Sequence, residues 1–122
     1  MSHGPREIAE SYWRAECARD TEAVLDHYWP EAEFRSPNAR YLGLDQIRTY
    51  YEDSARQFPE LSVSIVRDVV IGNVGAIEWT ATLRDRGGRS YNVDGVNVVE
   101  VRDGRFVWAH SYFDTGLLAP EA

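Results

Sequence analysis

Apolar residues recur at helical spacing in the first half of the chain and at every second position in the second half. That change of period predicts helices first and strands afterwards. Ile8, Ala9, Tyr12 and Trp13 form a helical stripe, and Pro5 suits the first turn because its missing N–H would be unpaired there. A first helix is therefore expected from about Pro5 to Arg19, after a frayed lead-in at 1–4. The next position on the stripe is Glu16, where a core-facing helix should carry an apolar residue. Either the helix rolls so that Ala15 faces inward and Glu16 pairs with an arginine at the rim, or Glu16 is a functional, partly buried acid.

Asp20 or Thr21 can cap a second helix with Val24, Leu25 and Tyr28 on its apolar face, ending before Pro30. Glu31 to Pro37 reads as a short strand with Phe34 and Ser36 on one face. Leu44 to Phe58 gives a third helix through Ile47, Tyr50, Tyr51, Ser54, Ala55 and Phe58, closed by Pro59. Ser62 to Ile71 is a strand bulged around Arg67-Asp68. In Gly75 to Arg84, Ile77, Trp79, Ala81 and Leu83 share a face. Tyr91 to Asp114 then reads as a long hairpin, rich in residues that fit a pleated, half-buried surface.

The hairpin turn has two readings. A two-residue loop at Asp103-Gly104 places Asn97 opposite His110; a three-residue loop from Arg102 to Gly104 places it opposite Ala109 and diagonal to Ser111. The second is preferred, because it groups Asn97 with Ala109, Ser111 and Phe113 and sends His110 outward with Trp108 and Tyr112. Under the first, His110 enters the site as the leading base. The order α-α-β-α-β-β-β-β indicates one α+β domain, 1–122, with helices packed on one face of an antiparallel sheet.

Composition narrows the function. A net charge of −7 argues against nucleic acid as a partner. All 13 basic residues are arginine, which removes Schiff-base chemistry and a lysine base. His3, His27 and His110 lack ligand spacing, so neither a metal site nor a cofactor is expected. No run approaches the roughly 20 apolar residues of a membrane span, and no signal segment is evident. A single cysteine, Cys17, fits a reducing cytoplasm and reads as inert helix packing.

The segments SYWRAECARDTEAVLDHYWPEAEFRSP, GLDQIRTYY and VEVRDGRF…SYFD resemble the nuclear transport factor 2-like superfamily, in particular SnoaL-like polyketide cyclases and ketosteroid isomerase. The resemblance spans nearly the whole chain. It implies a cone-like curved sheet wrapped around helices, with an apolar pocket at the open end. It also implies that Tyr12 is an oxyanion-hole tyrosine supported by Tyr28 and Tyr51, and that Asn97 replaces the second oxyanion donor, a role an amide N–H can fill. Ser36 stands where the isomerases carry their general-base aspartate, and a hydroxyl cannot abstract a carbon-bound proton at neutral pH. The Asp-Arg-Asp set of related epoxide hydrolases falls near Trp79, Ala81 and Ser111 and is absent; the cyclase carboxylate near Ser111 is absent too.

Any acid or base must then come from elsewhere. Glu16 lies one turn from Tyr12, and burial among Trp79, Tyr50 and Phe34 would raise its pKa into a useful range. The expected catalytic set is Tyr12, Glu16 and Asn97, within a ligand pocket of Tyr28, Phe34, Ser36, Tyr50, Tyr51, Trp79, Ala81, Ala109, Ser111 and Phe113. The chemistry is isomerisation, cyclisation or dehydration of a small hydrophobic carbonyl compound. A non-catalytic ligand carrier and a dimeric assembly domain are the alternatives. Asp94 and Asp114 read as turn or interface residues. Val96, Val98, Phe106, Trp108, His110 and Tyr112 form an outward apolar row, and the resemblance implies a two-fold homodimer through it.

Overall fold

The computed structural model describes residues 4–118; the lead-in expected at 1–4 falls almost wholly outside them. The elements are α1 (Pro5–Cys17), α2 (Thr21–Leu25), β1 (Tyr28–Arg35), β2 (Arg40–Leu42), α3 (Gly43–Gln57), β3 (Glu60–Ile71), β4 (Val74–Arg84), β5 (Ser90–Arg102) and β6 (Arg105–Phe113). A 3₁₀ turn, Thr115–Leu118, follows, where Asp114 Oδ1 accepts from Gly116 N–H at 2.9 Å. The six strands form one curved, unclosed sheet in the order β2-β1-β6-β5-β4-β3. Among the described residues no helix is long and apolar enough to cross a membrane.

The sheet departs from a pure antiparallel meander at one place, where β1 runs parallel to β6. The sequence pattern also passed over β2, only three residues long, and assigned Tyr28 to the second helix. That helix stops at Leu25, capped by Asp20, whose Oδ1 accepts from Ala23 N–H at 3.1 Å. Tyr28 instead opens β1, and the β1–β6 register shifts between Tyr28 and Glu33. Pro30 lies inside that shift, and its missing N–H cannot join a ladder.

Helix α1 lies against β3, β4 and β5, and α3 against β1 and β2, so the helices fill the concave face. Ile8, Ala9, Tyr12 and Trp13 are buried on α1 as the stripe requires. Its N-terminal end is pinned where Pro5 meets Gly75, a position where an added Cβ would lie 2.7 Å from the proline ring. A bulge between Ile65 and Arg67 reverses the parity of β3 and turns Asp68 toward the helices; Arg6 Nη1 donates to Asp68 Oδ1 at 2.6 Å.

Both readings of the hairpin turn need correction. Arg102 pairs with Arg105, and Asp103 and Gly104 have φ of 49° and 79°, the two-residue turn with both central residues left-handed. A bulge at Val107 then shifts the register, so Glu100 pairs with Trp108 and Asn97 lies directly opposite Ser111. His110 pairs with Val98 on the convex face, as the three-residue reading expected but for another reason. The bulge also removes Phe106 from the outward row. It is 1% exposed and packs against the rings of Tyr12 and Tyr28 at 5.5 and 5.2 Å.

Candidate active site

A cavity of about 520 Å³ opens between the helices and the concave face of the sheet. Of the expected site residues, Tyr12, Glu16, Phe34, Ser36, Tyr50, Trp79, Ala81, Asn97, Ser111 and Phe113 line it. Tyr28, Tyr51 and Ala109 do not; they are buried behind the lining. Trp13 and Phe58, which the helical stripes assigned to the core, also line it, as do Tyr41 and Leu118, which the pattern did not single out. Their side chains share parity with core residues, so only the space left between layers distinguishes the two. No arginine, lysine or histidine lines the cavity among the described residues.

On the sheet wall, Trp79 Nε1–H donates to Asn97 Oδ1 at 2.9 Å. An indole N–H can only donate, so the amide is held with its Nδ2 pointing away from the tryptophan. The indole reaches Asn97 by lying across Gly95, its pairing partner on β5, where a Cβ would approach the ring to 2.4 Å. Ser111, opposite Asn97, is 6% exposed, and its hydroxyl has no hydrogen-bond partner among the described residues. Asn97 Nδ2–H and Ser111 O–H thus form an adjacent pair of donors in the cavity wall.

Behind the cavity, Tyr28 Oη lies 2.7 Å from Tyr51 Oη, which lies 2.5 Å from Tyr12 Oη. Three hydroxyl protons serve two bonds, so one is surplus. Tyr28 is 1% exposed and would strand a donor in the core, whereas Tyr12 lines the cavity. The chain therefore runs Tyr28 to Tyr51 to Tyr12 and turns its last O–H to the cavity, where it acts on the Glu16 carboxylate. Burial raises the pKa of all three phenols, keeping them protonated donors at neutral pH. Tyr51→Phe should remove both bonds and cost about 1–3 kcal/mol, since Tyr28 is left unpartnered. Tyr12→Phe should cost less in the same denaturant titration: it leaves the buried Tyr51 O–H without its acceptor but keeps the Tyr28–Tyr51 bond, whereas Tyr51→Phe removes both.

Glu16 is partly buried on the opposite wall, on α1. The helix does not roll it out to bulk solvent. Desolvation raises its pKa above the usual carboxylate range, opposed in part by the Arg19 charge and the Tyr12 hydroxyl. Arg19 occupies the left-handed region, φ 57°, where α1 ends with Asp20 N–H bonded to Ala15 O and Arg19 N–H to Glu16 O. Its guanidinium donates to Phe58 O at 3.1 and 2.6 Å, capping α3. An arginine is thus near Glu16, as one reading of the stripe expected, but its guanidinium bonds to Phe58 O and no ion-pair contact forms.

Ser36 accepts from Ala39 N–H at 3.2 Å and holds the 36–39 turn rather than reaching for a ligand. Asp53, at the rim, is exposed and ion-paired with Arg56. His110 lies outside, its Nε2 2.6 Å from Glu33 Oε1, and that hydrogen bond, followed by one from Arg40, holds the Glu33 carboxyl below its ordinary range.

An open-ended curved sheet filled by helices, with donors on one wall and a carboxylate on the other, defines an α+β pocket protein of the nuclear transport factor 2-like fold. The chain belongs to the SnoaL-like domain family, whose model matches residues 9–109. Among solved structures it is similar to a nuclear transport factor 2-like protein of unknown function from Burkholderia pseudomallei (TM-score 0.83, 19% identity, 93% of this chain and 92% of that one). A SnoaL-like polyketide cyclase, so described putatively, from Shewanella denitrificans gives TM-score 0.82 at 16% identity over 93% and 92%. A protein described as a hydroxylase of the same provisional kind, AclR from Streptomyces galilaeus, gives 0.80 at 16% over 93% and 76%. No curated protein matches the chain by sequence.

Proposed function

We propose that the protein is an acid/base enzyme of the isomerase, cyclase or dehydratase type, acting on a small hydrophobic carbonyl compound. The observation that carries this is the Asn97–Ser111 pair, its amide oriented by Trp79, in the same cavity as a carboxylate of raised pKa. In the reaction, ionised Glu16 takes the proton from the carbon α to the carbonyl. The C–H electron pair moves into the C=O, and Asn97 Nδ2–H, Ser111 O–H and Tyr12 O–H stabilise the enolate oxygen. Return of the same proton from Glu16 to another carbon completes an isomerisation; in a dehydration the enolate re-forms the C=O, the C–O bond to a β-hydroxyl breaks, and Glu16 gives its proton to that hydroxyl, which leaves as water.

The test is deuterium wash-in from D₂O at the α-carbon of neutral cyclic ketones that bind the cavity, followed by NMR. Ketones that bind without exchange would favour the ligand-carrier reading instead.

The chain is further read as a two-fold homodimer through the convex face. Val96, Val98, Trp108 and His110 are half-buried there and Tyr112 is 50% exposed; Phe106 takes no part. The cross-strand row continues through Ala76 to Val69, which is 64% exposed. A face of this extent is costly to leave in water. Sedimentation at micromolar concentration should give a dimer, and Val98→Glu a monomer of unchanged circular dichroism. A wild-type monomer sinks this reading.

A further inference from the structure

We infer that the cavity accepts an apolar ammonium ion, with Glu16 as its counter-ion; this names a ligand class for the site proposed above and rests on the same cavity. A carboxylate removed from water is unfavourable unless paired. Glu16 makes no ion pair among the described residues, and no basic side chain lines the cavity. The cation whose charge reaches it, Arg19, makes no ion-pair contact with it and points its guanidinium at the carbonyl of Phe58. The other acid in the lining, Asp53, already has Arg56. Glu16 thus feels the Arg19 charge and the Tyr12 hydroxyl but has no ion-pair contact, and a ligand cation would supply one.

The walls suit such a cation. Trp13 and Trp79 meet at 6.5 Å and 63°, and Trp79 and Phe113 at 5.9 Å and 60°. Phe34 and Tyr50 form a second aromatic group, 4.6 Å apart and tilted by 43°. None of these pairs is stacked flat, so the rings do not cover one another's faces completely, and aromatic faces attract a desolvated cation. The same field repels anions, so carboxylates and phosphates of equal size are excluded.

Trp13 and Trp79 give the readout, since quenching of tryptophan emission reports occupancy. The probes are benzyltrimethylammonium, its uncharged isostere neopentylbenzene, and phenylacetate. Wild-type protein should bind the ammonium at least about tenfold more tightly than neopentylbenzene, and phenylacetate most weakly. Glu16→Gln should bring ammonium and isostere to within about twofold while neopentylbenzene affinity holds. Equal or tighter wild-type binding of neopentylbenzene or phenylacetate overturns the inference, and this comparison needs no variant. An ammonium preference that survives in folded Glu16→Gln overturns the assignment of Glu16. Ketone exchange is a separate measurement: if it fails while the ammonium preference holds, the enzyme reading falls and this one stands.

Discussion

Glu16→Gln should reduce α-proton exchange of a bound ketone by about 10²–10⁴-fold, the range a positioned general base supplies, while the fold is retained. Glutamine keeps the shape of the side chain and lacks a basic oxygen. In the wild type the exchange rate should climb with pH through an inflection above the ordinary carboxylate range, because desolvation raises the Glu16 pKa. The inflection should vanish in the variant. Exchange that continues at the wild-type rate would remove Glu16 from the mechanism.

The same substitution should stabilise the protein. A carboxyl whose folded-state pKa lies above its unfolded value binds more protons folded than unfolded between the two. Stability conferred by that proton is therefore present at low pH and lost as pH rises through the raised pKa. Glu16→Gln carries no such loss. Its melting temperature should match the wild type in acid and exceed it near neutrality, a difference that calorimetry at two pH values measures. A catalytic group that weakens the fold it sits in would be consistent with a trade of stability for function.

Gly95→Ala carries the second large effect. An added Cβ would lie 2.4 and 2.7 Å from the Trp79 ring and 2.7 Å from the Tyr112 carbonyl oxygen. The carbonyl belongs to the neighbouring strand and cannot yield easily, so the indole must move. Overpacking of this kind costs about 1–3 kcal/mol. Moving the indole also breaks its bond to Asn97 Oδ1 and leaves the amide free to rotate. Urea denaturation should show the loss of stability, and the Asn97 side-chain amide resonances should lose their fixed environment. Wild-type stability and an unchanged Asn97 signal would show that Trp79 does not depend on Gly95 for its place.

The helical stripe of α1, the alternation of β4 and the aromatic hairpin were all legible in the sequence, and with them the α+β class. These depend on local periodicity, which side-chain burial imposes directly. Glu16 was also legible, as the one residue out of pattern on its stripe, and so was Asn97, an amide in a row of valines. The bulge at Val107 was not: an inserted residue leaves the local alternation of types plausible on either side, and only the partner strand reveals it. It moved Phe106 into the core and set Asn97 opposite Ser111. Nor could periodicity separate Tyr28 and Tyr51 from cavity residues, since core and pocket walls are the same inward face. Sequence alone determined which side chains turn inward over most of the chain; tertiary structure decided which of them meet empty space, because that depends on the gap between layers and on how the strands register.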